Sequence, residues 1–280
     1  MVRYETFNVT LGDGTTVELR RPHYTIADTQ NPPHPDTMIS PRVANPMIGL
    51  GLLEAIHEAD LRQLADPGDV DGDGISGKLS LGIDVVTGEP AIGRFGWKAP
   101  QPNLRQQSAF AFATDMGLST SLVDAPHGDC TEAQTTCLGL PTGEGRYAAP
   151  DEPEVPDELL DLVTFYAANL AVPRRRDVDD PTVLRGKELF NEAGCASCHR
   201  PSFLTRDDAS VPKEHRRQLI WPYTDLLLHD MGEGLADNRP QGSATGREWR
   251  TTPLWGIGLT QRVSGHTQFL HDGRARNLTE

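Results

Sequence analysis

The chain has 280 residues, enough for one large domain or two ordinary ones, and 37% of them are hydrophobic, so a sizeable core can form. Its 27 glycines and 22 prolines predict many loops and turns. The formal net charge of −14 argues against nucleic acid or anionic lipid as partners, because a polyanionic surface repels phosphates, and it favours a small or basic partner.

The N-terminal segment has the pattern of a short β hairpin. Val9, Leu11, Val17 and Leu19 alternate with polar residues on both sides of a Gly-Asp-Gly turn. No basic and apolar export signal precedes this hairpin. No stretch of the chain reaches the roughly 20 apolar residues that cross a bilayer, so no membrane span is predicted.

Helical spacing of apolar residues appears in four later segments. One or two helices are predicted over 41–65, one over 102–117 and one over 157–172. Residues 66–100 lose this periodicity and are predicted to be a loop. The sequence PTVLRGKELFNEAG, from residue 181, predicts a further helix that ends at a glycine, where the chain can turn.

The sequence CASCH directly follows that helix. Cys195 and Cys198 are spaced so that two thiols can add to the vinyl groups of one haem, and His199 then reaches the iron. Chance would produce this pattern roughly 0.002 times in a chain of this composition. We therefore predict one covalent c-type haem. The alternatives are a redox CxxC and half of a zinc site.

The motif also sets the predicted architecture. About 80 residues follow it, enough chain to cover one haem. We predict a mainly α fold with loop-rich segments, a short N-terminal β hairpin and a cytochrome c-like C-terminal domain. The domains are expected at 1–178, a loop-rich α region, and at 179–280, the haem domain.

Cys130 and Cys137 are the other two cysteines. They lie seven residues apart in a turn-rich segment, too far from the haem motif to complete a compact zinc site with it. Outside the cytoplasm they are predicted to form a disulfide, with two free thiols as the alternative.

The sequence DVDGDG resembles the start of a calcium loop. Asp69, Asp71 and Asp73 offer oxygens at alternate positions, and Gly74 permits the turn. Ser80 stands where an EF-hand would carry its bidentate glutamate, so a complete EF-hand is not expected. We predict either a structural calcium site or a solvated acidic turn.

Several long motifs resemble the di-haem c-type cytochrome oxidoreductases, whose members are described as di-haem peroxidases or thiol oxidoreductases. They are GKELFNEAGCASCHRPSF, PYTDLLLHDMGEGLAD, GREWRTTPLWGIGLT and FLHDGRARNLTE, with SPRVANPMIGLGLLEAI and GRFGWKAPQPNLRQQ upstream. This family is similar to bacterial cytochrome c peroxidases and MauG-like proteins, which pair two c-type haems. The resemblance implies a second haem, whereas this sequence has one CxxCH, so an interior fragment of a longer, exported, periplasmic protein is expected.

The sequence does not determine which residue binds the haem iron on the side opposite His199. Met231 offers a soft thioether between residues that permit close approach, with packing or pocket lining as its alternative. His229 is a second candidate, with a hydrogen-bonded loop role as its alternative.

The resemblance also assigns roles to the HDGR motif. In peroxidase-like relatives this motif lies beside the reactive haem, which implies that His271 shuttles a proton, Asp272 orients it and Arg274 stabilises developing negative charge. The alternative is a structural turn built on His-Asp-Gly. Trp249 and Trp255 are expected to pack in the core, or else to pack on the porphyrin or relay an electron.

The predicted function is that of a haem oxidoreductase that transfers electrons through the covalent haem and reduces peroxide or oxidises a small-molecule or protein substrate. A redox protein is the expected electron donor or acceptor. The alternatives are a pure electron-transfer cytochrome c and a module that docks a basic partner.

Overall fold

The protein is described by a computed structural model, which covers residues 1–26, 36–145 and 152–280. Seven α-helices occur in these residues: α1 Leu50–Glu54, α2 Glu58–Leu64, α3 Leu104–Met116, α4 Thr135–Leu138, α5 Asp157–Asn169, α6 Pro181–Glu192 and α7 Thr260–Ser264. The same residues contain nine strands: β1 Val2–Thr10, β2 Thr16–Tyr24, β3 Gly77–Lys78, β4 Leu81–Ile83, β5 Pro90–Ile92, β6 Phe203–Leu204, β7 Leu219–Ile220, β8 Leu228–Asp230 and β9 Glu248–Arg250.

The predicted mainly α fold is wrong. Of the described residues, 27% are helical and 18% lie in strands or bridges. After α6, the only α-helix in the described part is α7, five residues long, so the segment that follows the haem motif does not form the expected helical cytochrome c domain. Left-handed backbone at Arg217, Tyr223 and Leu226 interrupts regular structure there.

Residues 66–100 also differ from the prediction of a loop, because β3, β4 and β5 lie within them. Each of these strands has only two or three residues, too few to show an alternating pattern. Strand β3 pairs with β8, and β8 pairs with β9, in one antiparallel sheet. This sheet therefore joins segments from both sides of residue 178, where the domain boundary stays a prediction.

The N-terminal hairpin has the predicted form, with β1 and β2 in register from Val2 opposite Tyr24 to Thr10 opposite Thr16. Arg20 attaches it to the C-terminal segment by donating to the carbonyl oxygens of Gly273 and Arg274. The alternation of apolar and polar residues thus correctly predicted the hairpin. The backbone carbonyls that anchor Arg20 of the hairpin lie more than 250 residues further along the chain.

The helices that the sequence predicted have recognisable ends. The side chain of Asn103 accepts from the backbone N–H of Gln106 at the start of α3, and Gly117 ends that helix in a left-handed conformation. Asp180 caps α6 by accepting from the N–H of Thr182. Helix α6 has no buried residue, so it offers its surface to another group.

The main core lies between α1, α2, α3 and the short strands around the haem motif. Its buried side chains are Leu50, Leu53, Ile56, Leu61, Ile92, Phe95, Leu104, Phe203, Ile220 and Leu226. A smaller cluster joins α3 to α5 through Ala109, Val155 and Leu160. No helix in the described residues is long and apolar enough to span a membrane.

Candidate haem site

The CASCH motif forms a tight turn at the end of α6. Gly194 adopts a left-handed conformation, with φ of 76°, and reverses the chain after the helix. A 3-10 turn over Cys195–Ser197 follows, and the backbone N–H of His199 donates to the carbonyl oxygen of Cys195 at 2.9 Å. This turn places the two thiols and the imidazole within one short segment.

The imidazole of His199 is oriented by a backbone carbonyl. Its Nδ1 lies 2.8 Å from the carbonyl oxygen of Tyr223, and because a carbonyl can only accept, Nδ1 carries the proton. Nε2 is then the nitrogen with a free lone pair, as an axial ligand of haem iron requires. Phe190 packs edge-on against the Tyr223 ring, with 5.6 Å between centroids, and so supports the same segment.

The two motif cysteines are free thiols, Cys195 exposed and Cys198 half-buried. On α6, the helix that leads into the motif, the apolar side chains of Val183, Leu184 and Leu189 are 41–48% exposed. A porphyrin is a large apolar group that would cover such a surface. The free thiols, the oriented imidazole and the uncovered helix therefore fit a haem.

His229 and Asp225 form a buried pair next to Cys198. Nε2 of His229 lies 2.9 Å from the carboxylate of Asp225, and Nδ1 lies 3.8 Å from the sulfur of Cys198. Burial lowers the pKa of His229, but the hydrogen bonds and negative charge of Asp225, together with Cys198, outweigh it and raise that pKa to about 10.

The sequence interpretation considered His229 and missed Asp225. An acid and a histidine four residues apart, separated by three leucines, are unusual in an apolar strand, because a buried charge needs a partner. That spacing in PYTDLLLHD was the available signal for the pair.

Met231 follows strand β8, two residues after His229, and is 49% exposed. Its backbone N–H donates to the carbonyl oxygen of Arg247. The role of Met231 as an iron ligand stays a proposal.

The three residues of the HDGR motif lie together in a buried turn. Arg274 binds the Asp272 carboxylate at 2.7–3.0 Å, and it also donates to the carbonyl oxygen of Gly234. Nε2 of His271 lies 3.5 Å from Asp272. That Asp272 orients His271 stays a prediction, and the guanidinium of Arg274 is already bound by protein acceptors.

His271 is buried and stacks on the indole of Trp249, with 3.7 Å between ring centroids. Burial lowers its pKa to about 4, because the negative charge of Asp272 opposes this effect less strongly and Arg274 adds to it. His271 is therefore neutral at pH 7 and can accept a proton. Trp249 stands opposite His229 across β8 and β9, so this strand pair connects the HDGR turn to the haem motif.

The acidic turn and the second pair of cysteines lie elsewhere on the surface. Carboxylate oxygens of Asp69, Asp71 and Asp73 lie within 4.8 Å of one another, and the N–H of Gly74 donates to Asp69. Cys130 and Cys137 are joined as a disulfide, with 6.2 Å between their Cα atoms, inside the usual range. Calcium binding and an oxidised pair in the cell both stay predictions.

Two free thiols, an oriented imidazole and an uncovered apolar helix form the kind of site used by haem oxidoreductases. The chain belongs to the family described as "Di-haem oxidoreductase, putative peroxidase", which it matches over residues 1–280. The family resemblance seen in the sequence is thereby confirmed, and the family implies a haem cofactor. No curated protein and no solved structure matches the chain significantly.

Proposed function

We propose that this chain holds a c-type haem covalently through Cys195 and Cys198, with His199 as an axial iron ligand. The observation that carries the proposal is the hydrogen bond from Nδ1 of His199 to the carbonyl of Tyr223, which leaves Nε2 for the metal beside two free thiols. A redox CxxC needs no oriented histidine, and a zinc site needs four ligands, of which this segment offers three.

The haem would supply one-electron chemistry at iron, and the protein would set its position and surroundings. Donation from Nδ1 to a carbonyl makes Nε2 a stronger ligand and fixes the ring orientation. The apolar surface of α6 would exclude water from one edge of the group. The aromatic ring of Phe190, with its centroid 6.4 Å from that of His199, would restrict movement of the imidazole.

We further propose that the chain works as an oxidoreductase that reduces peroxide or oxidises a substrate. Buried His271 supports this proposal, because its lowered pKa keeps the imidazole unprotonated at neutral pH, which is the form that can accept a proton from a bound peroxide. Asp272 would orient His271. Arg274 would act mainly by fixing Asp272, since its guanidinium is already bound to that carboxylate.

A pure electron-transfer cytochrome is the second candidate, and Met231 is the observation that favours it. An exposed thioether two residues after His229, whose ring lies beside Cys198, could close the second axial position, and an iron with two protein ligands does not meet substrate.

Absorption spectra of the haem-loaded chain distinguish the two candidates. We expect covalent haem after periplasmic c-haem maturation, with high-spin ferric iron if the second axial position takes substrate. Low-spin iron with a thioether signature that Met231→Ala abolishes would instead show an electron carrier. Met116→Ala, on an exposed methionine of α3, is the matched control. Absence of covalent haem after maturation would refute the central proposal.

The remaining parts of the proposal concern surroundings and partners. A c-type haem is attached outside the cytoplasm, so the proposed haem would put the chain in the periplasm or a similar compartment, where Cys130 and Cys137 would stay oxidised. A second haem in the same protein would exchange electrons with this one, as the di-haem family description suggests. The electron partner would be a redox protein whose docking surface does not repel this chain, which has a net charge of −14.

A further inference from the structure

Three consecutive arginines, Arg174 to Arg176, lie in the segment between α5 and α6. They are exposed and line a surface depression of about 510 Å³. None of the three forms an ion pair with a carboxylate in the described parts of the chain, although Asp177, Asp179 and Asp180 line the same depression. The guanidinium groups are therefore free to bind an anionic ligand, although the three aspartates leave the lining without net charge.

Contacts relate these arginines to the haem motif. The guanidinium of Arg175 lies over the ring of Trp221, 5.3 Å from its centroid. Trp221 stands two residues before Tyr223, whose carbonyl oxygen accepts from His199. Residues 221–223 therefore carry both the ring that packs on Arg175 and the carbonyl oxygen that orients the imidazole of His199.

Neighbouring contacts hold the other groups in place. Arg176 reaches the backbone of Gly258, where an added Cβ would lie 3.1 Å from Nη2. The Asp180 carboxylate accepts from the N–H of Thr182 as the cap of α6, so one of its oxygens is already bound by the helix. The arginine side chains in the depression thus remain available to a ligand, although three aspartates follow them closely in the sequence.

The charge of the whole chain restricts the identity of the anion. With a net charge of −14, the protein repels an acidic partner surface and most free dianions. A covalently attached haem, by contrast, would carry its two propionate carboxylates on the protein itself, and the attachment would compensate for the unfavourable overall charge. Arginine matches a carboxylate with two parallel hydrogen bonds.

We propose that Arg174, Arg175 and Arg176 bind the propionates of the covalent haem, with Arg175 as the central contact. This inference rests on the proposed function. Binding of the propionates by guanidinium groups would offset their negative charge, which otherwise stabilises ferric iron, and would keep them ionised at lower pH.

The test is the haem reduction potential as a function of pH in the haem-loaded chain. Arg175→Gln should shift the midpoint potential to lower values and bring a propionate titration into the range between pH 5 and 8. The triple change of Arg174, Arg175 and Arg176 to glutamine should enlarge both shifts. Arg175→Lys should restore the potential in part, and Arg3→Gln, which removes one exposed charge on the hairpin, should leave it unchanged.

The outcomes separate this inference from the proposed function. Absence of covalent haem in the unmodified chain contradicts the proposed function. Normal haem content, with a midpoint potential and pH dependence in Arg175→Gln equal to those of Arg3→Gln, overturns the propionate assignment alone. So does a triple variant whose potential is unchanged while its rate of electron exchange with a redox protein falls, because the arginines would then dock that protein. If the triple variant does not mature, Arg175→Gln decides the question by itself.

Discussion

The imidazole of His271 lies parallel to the indole of Trp249, with 16° between the ring planes and 3.7 Å between their centroids. Trp97 packs edge-on against both rings. This contact buries the histidine in an aromatic environment, where the charged form of an imidazole loses its hydration. The stacking thus explains why burial is the largest influence on the pKa of His271.

We predict that His271 makes the folded protein less stable as the pH falls from 6.5 toward 4. In this range the unfolded chain takes up a proton at His271 while the folded chain, with a pKa of about 4, does not, so protons favour unfolding. His271→Gln should remove about 1–3 kcal/mol of this pH-dependent change. Urea denaturation at several pH values measures it.

His127→Gln is the matched control, since it removes one histidine from a loop outside the aromatic cluster. Its stability should keep the pH dependence of the unmodified chain. Equal pH profiles for His271→Gln and the unmodified chain would show that His271 is not held neutral by its surroundings.

Local patterns in the sequence predicted the elements whose stability is encoded locally. Alternation identified the β1–β2 hairpin, and apolar spacing identified α3, α5 and α6. The short strands were missed because two or three residues carry no period. Their backbone groups are satisfied by partners far along the chain, as when β3 pairs with β8.

The candidate site also has a part that local sequence predicted and a part that depends on the tertiary fold. The spacing of Cys195, Cys198 and His199 identified the haem motif, because that chemistry depends on neighbouring residues. The stacking of His271 on Trp249 and the partners of Lys98 depend on the tertiary fold. Lys98 reads in the sequence as an ordinary surface charge, yet it is fully buried.

Lys98 and Asp237 supply a prediction about stability. Nζ of Lys98 donates to the Asp237 carboxylate at 2.8 Å and to two backbone carbonyl oxygens, and Asp237 also accepts from Ser40 and Arg42. Asp237→Asn leaves a buried ammonium group without its counterion. We expect a loss of about 3–5 kcal/mol in the free energy of unfolding, measured by urea denaturation.

Arg62→Gln provides the comparison, because its ion pair with Glu58 is solvent-exposed on α2. Exposed pairs of this kind contribute up to about 1 kcal/mol. If Asp237→Asn cost no more than Arg62→Gln, the buried network would not hold the 237–245 loop against the rest of the chain.

The three carboxylates of the acidic turn lead to a prediction about calcium. If Asp69, Asp71 and Asp73 bind the ion, calcium at millimolar concentration should raise the melting temperature of chelator-treated protein, since an ion that binds only the folded state stabilises it. Asp71→Asn should abolish the increase, and Asp124→Asn, on an exposed loop, should not. An equal response to magnesium and calcium in all variants would indicate a solvated acidic turn.

The Asp225–His229 pair predicts the opposite pH dependence from that of His271. The pKa of His229 is raised to about 10, so above pH 6.5 the unfolded chain loses a proton that the folded chain keeps, and stability falls as the pH rises toward 10. Covalent attachment of a haem, as proposed, would convert the Cys198 thiol to a thioether and leave Asp225 as the main cause of the raised pKa of His229. Asp225→Asn should remove this alkaline loss and, at pH 7, cost about 3–5 kcal/mol, because it leaves buried His229 without its carboxylate partner. Glu233→Gln, an exposed acid nearby in the chain, should change neither quantity. Denaturation between pH 6 and 10 would contradict the pairing if Asp225→Asn retained the alkaline loss of the unmodified protein.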